Sequence, residues 1–203
     1  MTARLKTAVL ISGRGSNLQA LIDSCAKQDF PVEIVLVISN VAGAAGLERA
    51  KKAGIPAVTI SHRGFATRED FDAAMEANLR AVGAEFVCLA GFMRLLSASF
   101  VQRWQGRIVN IHPSLLPEFK GLQVHEQVLA AGAKKSGCTV HYVIADLDAG
   151  PNILQAEVPV MKGDTVETLA ARVLAEEHII YPRALKMIAE GRVRLENGRA
   201  VFS

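Results

Sequence analysis

The sequence predicts an α/β protein with a doubly wound, mostly parallel β-sheet. Continuous runs of β-branched residues and leucine recur along the chain, and amphipathic helical patterns separate them. Runs of this kind are typical of strands that are covered on both faces. Strands that alternate with helices form a parallel sheet with right-handed crossovers, in which ligands bind beyond the carboxyl ends of the strands.

The predicted elements extend over most of the chain. The strands are residues 8–11, 34–38, 86–90, 108–111, 139–144 and 153–158, and the helices are residues 18–27, 44–53, 67–82 and 97–104. A long helix follows, with Asp164 as the predicted N-cap and Glu167 as its capping-box partner. It extends toward Gly191, and a kink is expected at Pro182. Residues 192–202 contain an Asn-Gly pair, which predicts a β-hairpin with a two-residue turn.

Composition places the chain among globular proteins with one domain. Its 203 residues contain no linker, repeat or long charge run, so we expect a single domain, residues 1–203. Hydrophobic residues make up 50% and charged residues 21%, which is ordinary for a globular protein. The net charge is only +3 and aromatic residues make up 5%, so we expect a small anionic ligand rather than a nucleic acid.

Cysteine and histidine spacing predicts no metal site. The three cysteines contain no C-x-x-C pair, which argues against a zinc or redox motif. Packing or surface roles are expected for His62, His125, His141 and His178, none of which has spaced metal-ligating partners. The first apolar run is too short for a signal peptide or a membrane span, so we expect a cytoplasmic protein that contacts no membrane.

The turn after the first strand is a candidate phosphate site. Residues 12–18 read SGRGSNL, so the glycines permit close backbone approach and the next helix presents free N–H groups. Ser16 and Asn17 can cap that helix or bind a phosphate oxygen. Leu18 replaces the third glycine of the dinucleotide motif, and the Gly-Lys-Ser/Thr ending of a P-loop is absent. The segment therefore predicts either a monophosphate site or a tight turn that binds nothing.

Asn110 and His112 form a candidate catalytic pair at the end of the fourth predicted strand. Residues two apart in a strand point to the same face, and Pro113 ends regular strand pairing. An amide N–H can stabilise a developing oxyanion, and an imidazole can transfer a proton. The alternative is a capping asparagine and a half-buried histidine that binds backbone groups.

Three further features could complete such a site. Asp146 and Asp148 lie in a turn-rich loop. A carboxylate placed beside His112 would stabilise the imidazolium, but the spacing of the two aspartates does not select one of them. Glu177 falls on the apolar stripe of the long helix, so it needs a partner, either a structural hydrogen bond or a ligand hydroxyl such as that of a ribose. Residues 93–96 form either an apolar wall for a flat ring or part of the core and the start of a helix.

Four motifs give the sequence a family resemblance. In chain order and over nearly the whole chain, they are "ISGRGSNLQALID", "LAGFMRLLS", "NIHPSLLPEFKG" and "GCTVHYVIADLDAGPNILQ". They resemble the phosphoribosylglycinamide formyltransferases of purine biosynthesis, folate-dependent enzymes with a Rossmann-like formyltransferase fold. A wider group of folate-dependent formyltransferases shares Asn-x-His and Leu-Asp-x-Gly. The Gly-x-Gly-Ser-Asn pattern narrows the resemblance to the ribonucleotide enzymes or their nearest deformylase relatives.

The resemblance implies roles for individual residues. The catalytic residues of the family match Asn110, His112 and Asp148, and this match selects Asp148 over Asp146. The phosphate-binding segment matches Gly15, Ser16 and Asn17, and a residue that binds the ribose hydroxyls matches Glu177. The folate-binding positions match Arg68, Met93, Arg94, Leu95, Leu96 and Asn110, with the backbone of Val143, Ile144 and Ala145 around the pterin.

The resemblance also implies the reaction. The formyl group of 10-formyltetrahydrofolate would pass to the amine of glycinamide ribonucleotide by direct attack, without an acyl-enzyme and without a metal. Asn110 and His112 would stabilise the oxyanion, and His112 with Asp148 would transfer protons. The implied partners are these two small molecules, with no nucleic acid and no membrane, and the expected assembly is a monomer or a homodimer.

Two positions depart from the family pattern, and three alternatives compete with it. Gln123 stands where many relatives have a histidine, and Leu174 stands where some relatives have a polar residue that contacts the phosphate. The phosphate is therefore expected to depend more on backbone N–H groups.

Formyltetrahydrofolate deformylases usually carry an N-terminal regulatory domain, which is not expected here because the first strand begins close to Met1. Methionyl-tRNA formyltransferase would need a tRNA-binding domain after Ser203. The alternative from a different class is a non-catalytic protein that binds a phosphate ligand.

Overall fold

The fold is built on a seven-stranded sheet, which a computed structural model describes for residues 3–203. The strands of this sheet are β1 Leu5–Ile11, β2 Val32–Ser39, β3 Ala57–Thr59, β4 Phe86–Leu89, β5 Ile108–His112, β6 Lys135–Tyr142 and β7 Asn152–Pro159. The helices are α1 Ser16–Cys25, α2 Ala45–Lys52, α3 Arg68–Ala81, α4 Ala98–Arg103, α5 Val124–Ala130 and α6 Val166–Ala189. A 3₁₀ turn at His62–Gly64 precedes α3, and β8 Val193–Glu196 pairs with β9 Arg199–Phe202.

The strand order confirms a doubly wound, mostly parallel sheet. From one edge to the other the order is β3-β2-β1-β4-β5-β6-β7. The first five of these strands are parallel, whereas β6 is antiparallel to both β5 and β7. The connections change direction between β1 and β4, and ligand crevices lie at the carboxyl ends of strands beside such a point.

Alternate residues of the strands pack into two apolar cores, one on each face of the sheet. In β1, Val9 and Ile11 join the core beneath α1 and α6, whereas Ala8 and Leu10 join the core beneath α3 and α4. All four side chains are fully buried. This burial on both faces is why the strand is apolar throughout instead of alternating between apolar and polar residues.

Several predicted strand boundaries are wrong. β1 begins at Leu5. The short β3 was not predicted because two of its three residues are exposed and they give no apolar run. β6 begins at Lys135 and ends at Tyr142, four residues earlier at its start and two at its end than the predicted strand 139–144. Pairing with β7, rather than local propensity, extends this strand through Gly137. Val143 and Ile144 consequently lie in the loop that follows β6.

The N-cap of α6 is Thr165, so the predicted cap at Asp164 with Glu167 as partner is wrong. Thr165 Oγ1 accepts a hydrogen bond of 3.3 Å from the Thr168 N–H, and Thr168 Oγ1 accepts one of 2.9 Å from the Thr165 N–H. Asp164 instead accepts two hydrogen bonds of 2.8 and 2.9 Å from Arg172. These hydrogen bonds lower the pKa of Asp164.

α6 packs on one face of the sheet. It packs against α1, β6 and β7, and it remains one continuous helix across Pro182. Within residues 3–203, no helix combines the length and the apolar composition that crossing a bilayer requires.

The predicted C-terminal hairpin is confirmed. β8 and β9 are antiparallel and joined by Asn197 and Gly198, whose φ angles are 50° and 75°. A two-residue type I′ turn requires positive φ at both central positions, and Asn-Gly adopts it readily.

We expect Thr165→Ala to destabilise the protein by about 1 kcal/mol, because the substitution removes the side-chain acceptor for an N–H of the first turn of α6. Urea unfolding followed by circular dichroism measures this change in the free energy of unfolding. Glu167→Gln is the matched control and should change the free energy much less. An equal or larger loss in the control would contradict the assignment of Thr165 as the cap.

Candidate active site

His112 and Asp148 form a buried pair at the carboxyl edge of the sheet. His112 is the last residue of β5, and Asp148 lies in the loop between β6 and β7. His112 Nδ1 lies 3.4 Å from Asp148 Oδ2, and both side chains are buried. The same carboxylate oxygen accepts a hydrogen bond of 3.0 Å from the Gly121 N–H, which helps to fix its position. Asp146 is exposed, so Asp148 is the aspartate that the fold brings to His112.

The second ring nitrogen of His112 also faces an acceptor. Nε2 lies 2.9 Å from the carbonyl oxygen of Phe119, in the loop between β5 and α5. A neutral imidazole can donate from one nitrogen only, whereas an imidazolium can donate to Phe119 and to Asp148 at once. Both ring nitrogens of His112 thus have an oxygen acceptor within reach.

Close backbone packing shapes the loop that carries Asp148. A Cβ atom on Gly150 would lie 1.7 Å from the carbonyl oxygen of Tyr142, so only glycine fits at this position. Asp148 itself has a φ of 47°, in the left-handed region that aspartate tolerates better than most residues. The loop therefore packs against the end of β6 and returns Asp148 to the end of β5.

A histidine on the neighbouring strand holds Asn110. β5 and β6 are antiparallel, and Asn110 pairs with His141. Asn110 Nδ2 lies 3.3 Å from His141 Nε2, and His141 Nδ1 lies 2.9 Å from the Tyr142 carbonyl oxygen. Nδ1 thus donates to the carbonyl and Nε2 accepts from the amide, which defines a neutral tautomer. Burial lowers the pKa of His141 and so favours this neutral form.

Sequence reasoning missed His141, to which it gave a packing role. The partner of His141 lies on another strand, 31 residues away, so only the register between β5 and β6 reveals the contact. The available signal was a histidine in an apolar strand, because a buried polar group needs a partner.

Among residues 3–203, the His, Cys, Asp and Glu side chains form no cluster of three or more that could hold a metal ion.

The turn after β1 presents free N–H groups at the start of α1. Gly15 is the N-cap, with a φ of 69°, and no side chain caps the helix. A Cβ atom on Gly15 would lie 2.6 Å from Gly46 Cα, so the close approach of α2 requires glycine here. Ser16 and Asn17 are the first residues of α1, where N–H groups lack partners within the helix. Arg49 Nε donates a 2.9 Å hydrogen bond to the carbonyl oxygen that precedes Gly15, which places a cation beside the turn.

Asn17 and Glu177 connect α1 with α6. Asn17 Nδ2 donates a hydrogen bond of 2.6 Å to Glu177 Oε2, and both side chains are buried. Burial raises the pKa of Glu177 from 4.5 to about 7, although the hydrogen bond from Asn17 opposes this shift. Asn17 Oδ1 is buried and has no partner among the described residues. The pair therefore has its own structural hydrogen bond, and the second carboxyl oxygen of Glu177 can accept one from a ligand hydroxyl.

The remaining residues singled out by the resemblance follow other elements of the sheet. Arg68 begins α3 and is exposed, and residues 93–96 connect β4 with α4. Within that connection Met93, Arg94 and Leu95 are exposed, whereas Leu96 packs against the same core as Val143. The Val143 N–H donates a hydrogen bond of 3.0 Å to the carbonyl oxygen of Ile108, and Ile144 and Ala145 follow in the loop.

The two departures from the family pattern lie on different helices. Gln123 is the N-cap of α5, with a φ of 54° and no side-chain capping hydrogen bond. Leu174 is half-buried on α6, three residues before Glu177. A leucine has no polar group, so Leu174 gives a phosphate no hydrogen bond.

Comparison with known proteins relates nearly the whole chain to one family. The family model described as formyl transferase matches residues 5–185. The Escherichia coli phosphoribosylglycinamide formyltransferase is 45% identical over 196 residues, which are 97% of this chain and 92% of that protein. The trifunctional purine biosynthetic protein adenosine-3 of Bos taurus is 56% identical over 97% of this chain, which spans only 20% of that protein.

A solved structure shares both the fold and the sequence pattern. The crystal structure of glycinamide ribonucleotide transformylase 1 from Symbiobacterium toebii superposes with a TM-score of 0.96 at 48% identity, covering 100% of this chain and 95% of the other. Because the family model and these relatives cover almost all of the sequence, the chain belongs to the formyl transferase family.

Proposed function

We propose that the chain transfers the formyl group of 10-formyltetrahydrofolate to the amine of glycinamide ribonucleotide, in purine biosynthesis in the cytoplasm. The observation that carries the proposal is the buried His112–Asp148 pair, with Asn110 on the same face of β5. A proton carrier and an amide donor at one strand end suit the formation and collapse of a tetrahedral intermediate. The 45% identity to the Escherichia coli phosphoribosylglycinamide formyltransferase supports this substrate.

The turn after β1 and the Asn17–Glu177 pair are proposed to bind the ribonucleotide. The N–H groups of Ser16 and Asn17 and the positive end of the helix dipole suit its phosphate. Since Leu174 supplies no hydrogen bond, the phosphate depends on these groups and on Gly15, which lets the backbone approach. The carboxyl of Glu177, which Asn17 holds by a hydrogen bond, suits the ribose hydroxyls.

The folate is proposed to bind along the connection between β4 and α4. Met93 and Leu95 are 62% and 53% exposed, which leaves apolar surface free for a flat ring system. The pterin would contact the backbone of Val143, Ile144 and Ala145, and Arg68 would bind the carboxylate end of the cofactor. Arg94, Leu96 and Asn110 complete this folate-binding set.

In the proposed reaction the amine attacks the formyl carbon directly. The new C–N bond forms as the carbonyl electrons move onto oxygen, and the Asn110 amide and the His112 imidazolium stabilise that oxyanion. His112 and Asp148 then relay the proton from the attacking amine to the folate nitrogen, which leaves as the old C–N bond breaks. The products are the formylated ribonucleotide and tetrahydrofolate, with no acyl-enzyme and no metal on the proposed path.

Two alternative functions differ from the transferase in how they consume folate when glycinamide ribonucleotide is absent. A deformylase would pass the formyl group to water and would consume the folate whether or not the ribonucleotide is present. A non-catalytic protein would bind one or both ligands without turnover. Turnover that depends on the acceptor therefore separates the proposed transferase from both.

We expect folate absorbance to change only when 10-formyltetrahydrofolate and glycinamide ribonucleotide are both present. His112→Ala should lower kcat by about 10² to 10⁴, because it removes the proton carrier while leaving the ribonucleotide turn intact. The wild type without acceptor is the control for hydrolysis. Equal folate consumption with and without acceptor would contradict the transferase function in favour of the deformylase.

We expect His141→Ala to lower kcat by roughly 10-fold to 100-fold, because Asn110 loses the partner that orients its amide. The KM for each substrate should change much less than kcat. A His141→Ala enzyme with full kcat would show that the amide of Asn110 needs no such support.

Glu177 makes stability depend on pH. Its pKa is raised from 4.5 in the unfolded chain to about 7 in the fold, so the folded state binds more protons between these values. The free energy of unfolding should therefore fall as pH rises through this window, by on the order of 1 to 3 kcal/mol. Urea unfolding at about pH 5 and about pH 8 measures it. Glu177→Gln should remove this contribution and Glu176→Gln should retain it, and an unchanged slope in Glu177→Gln would contradict the assignment.

A further inference from the structure

The connection between β4 and α4 is a segment without helical or strand structure. Residues 91–96 form it, and in the proposed function they bind the folate. Met93 and Leu95 are exposed, so packing of their side chains does not hold this part of the backbone in place. Phe92 and Leu96 pack against the core beneath α3 and α4, whereas the stretch between them is exposed. Hydrogen bonds with side chains of two other elements add to this packing at the two ends of the segment.

Ser12 is the anchor near the start of this segment. Its hydroxyl accepts a hydrogen bond of 2.7 Å from the Met93 N–H and donates one of 2.5 Å to Asn40 Oδ1. The Ser12 N–H donates a third hydrogen bond, of 3.1 Å, to the carbonyl oxygen of Gly91. Ser12 directly follows β1, an interior strand of the sheet, so this strand sets the position of the segment's first half.

Asp72 is the anchor at the other end. Its carboxylate Oδ2 accepts a hydrogen bond of 2.6 Å from the N–H of Ser97, which directly follows the segment and caps α4. Asp72 is 0% exposed, and its second oxygen is buried without a partner among the described residues. It lies on α3, one helical turn after Arg68, which begins the same helix. One element thus carries both the proposed carboxylate-binding arginine and the anchor of the folate segment.

Glu76 shows that Asp72 is not needed merely to join α3 to α4. Glu76 lies one turn further along α3 and accepts hydrogen bonds of 2.6 Å from Arg80 and 2.7 Å from Arg103, the last residue of α4. Both of its oxygens bind cations, whereas Asp72 has no ion pair within residues 3–203. Burying a carboxyl that binds only one backbone N–H costs desolvation free energy, and an ion pair already joins these two helices.

We propose that Asp72 and Ser12 are positioning residues for the folate, which hold the two ends of residues 91–96 so that this segment and Arg68 bind the cofactor together. Neither side chain has to contact the folate. The inference rests on the proposed function. It adds that Asp72 and Ser12 set the affinity for the folate and not for the ribonucleotide.

The test measures the KM for each substrate separately, together with kcat. Asp72→Ala should raise the KM for 10-formyltetrahydrofolate about tenfold, because a loosened segment misplaces its contacts. The KM for glycinamide ribonucleotide and kcat at saturation should change less than about twofold. Asp72→Asn keeps an oxygen acceptor for the Ser97 N–H and should restore most of the affinity. Ser12→Ala should act in the same direction, and combining it with Asp72→Ala should give less than the product of the two effects.

Glu76→Gln is the matched control, since it weakens the other link between α3 and α4 without touching residues 91–96. It should lower the melting temperature and leave the folate KM unchanged. If Glu76→Gln raises that KM as Asp72→Ala does, or if Asp72→Ala raises both KM values equally, the positioning role is overturned. Should Asp72→Ala fail to fold, Ser12→Ala decides, because an unchanged folate KM there overturns the proposal. Binding of 10-formyltetrahydrofolate without acceptor, titrated by fluorescence, tests the anchors even if the wild type transfers no formyl group.

Discussion

The antiparallel pairing of β5 with β6 is the interaction on which the candidate active site depends. The sheet is parallel up to β5, and this pairing is its first antiparallel step. It sets Asn110 opposite His141, so the amide is oriented by an imidazole in a defined tautomer. It also turns the chain back after Tyr142, and the following loop brings Asp148 to His112. A slip of one residue would move the side chains of one strand to the opposite face and would separate these pairs.

The site concentrates polar groups inside the protein, and such groups destabilise a fold unless they bind one another. His112, His141 and Asp148 are buried, and each has hydrogen-bonding partners on backbone or side chains. Apolar cores on both faces of the sheet supply the burial that offsets this desolvation. Groups held in this way need little reorganisation when charge develops on a reacting oxygen, which is how a folded site stabilises a transition state.

β1 connects the two regions proposed for the two substrates. Its carboxyl end leads into the turn at Gly15, and Ser12 in the same stretch binds the backbone of Met93. A transfer between two small molecules requires that both be held in one geometry, because small displacements of reacting atoms are costly in rate. Two regions attached to one central strand, itself buried on both faces, meet this requirement better than two independent loops would.

The sequence by itself determined the fold class, because strands that are apolar throughout can be buried only in a sheet covered on both faces. Period-two spacing also placed Asn110 and His112 on one face, and a family resemblance supplied their chemistry. Only the tertiary structure decided which side chains of the candidate site contact one another. It brought Asp148 to His112, paired His141 with Asn110 across two strands, and formed the short strand Ala57–Thr59 from residues without a local signal. A local pattern reports which face of an element is buried, whereas a hydrogen-bond partner depends on the register at which distant elements meet.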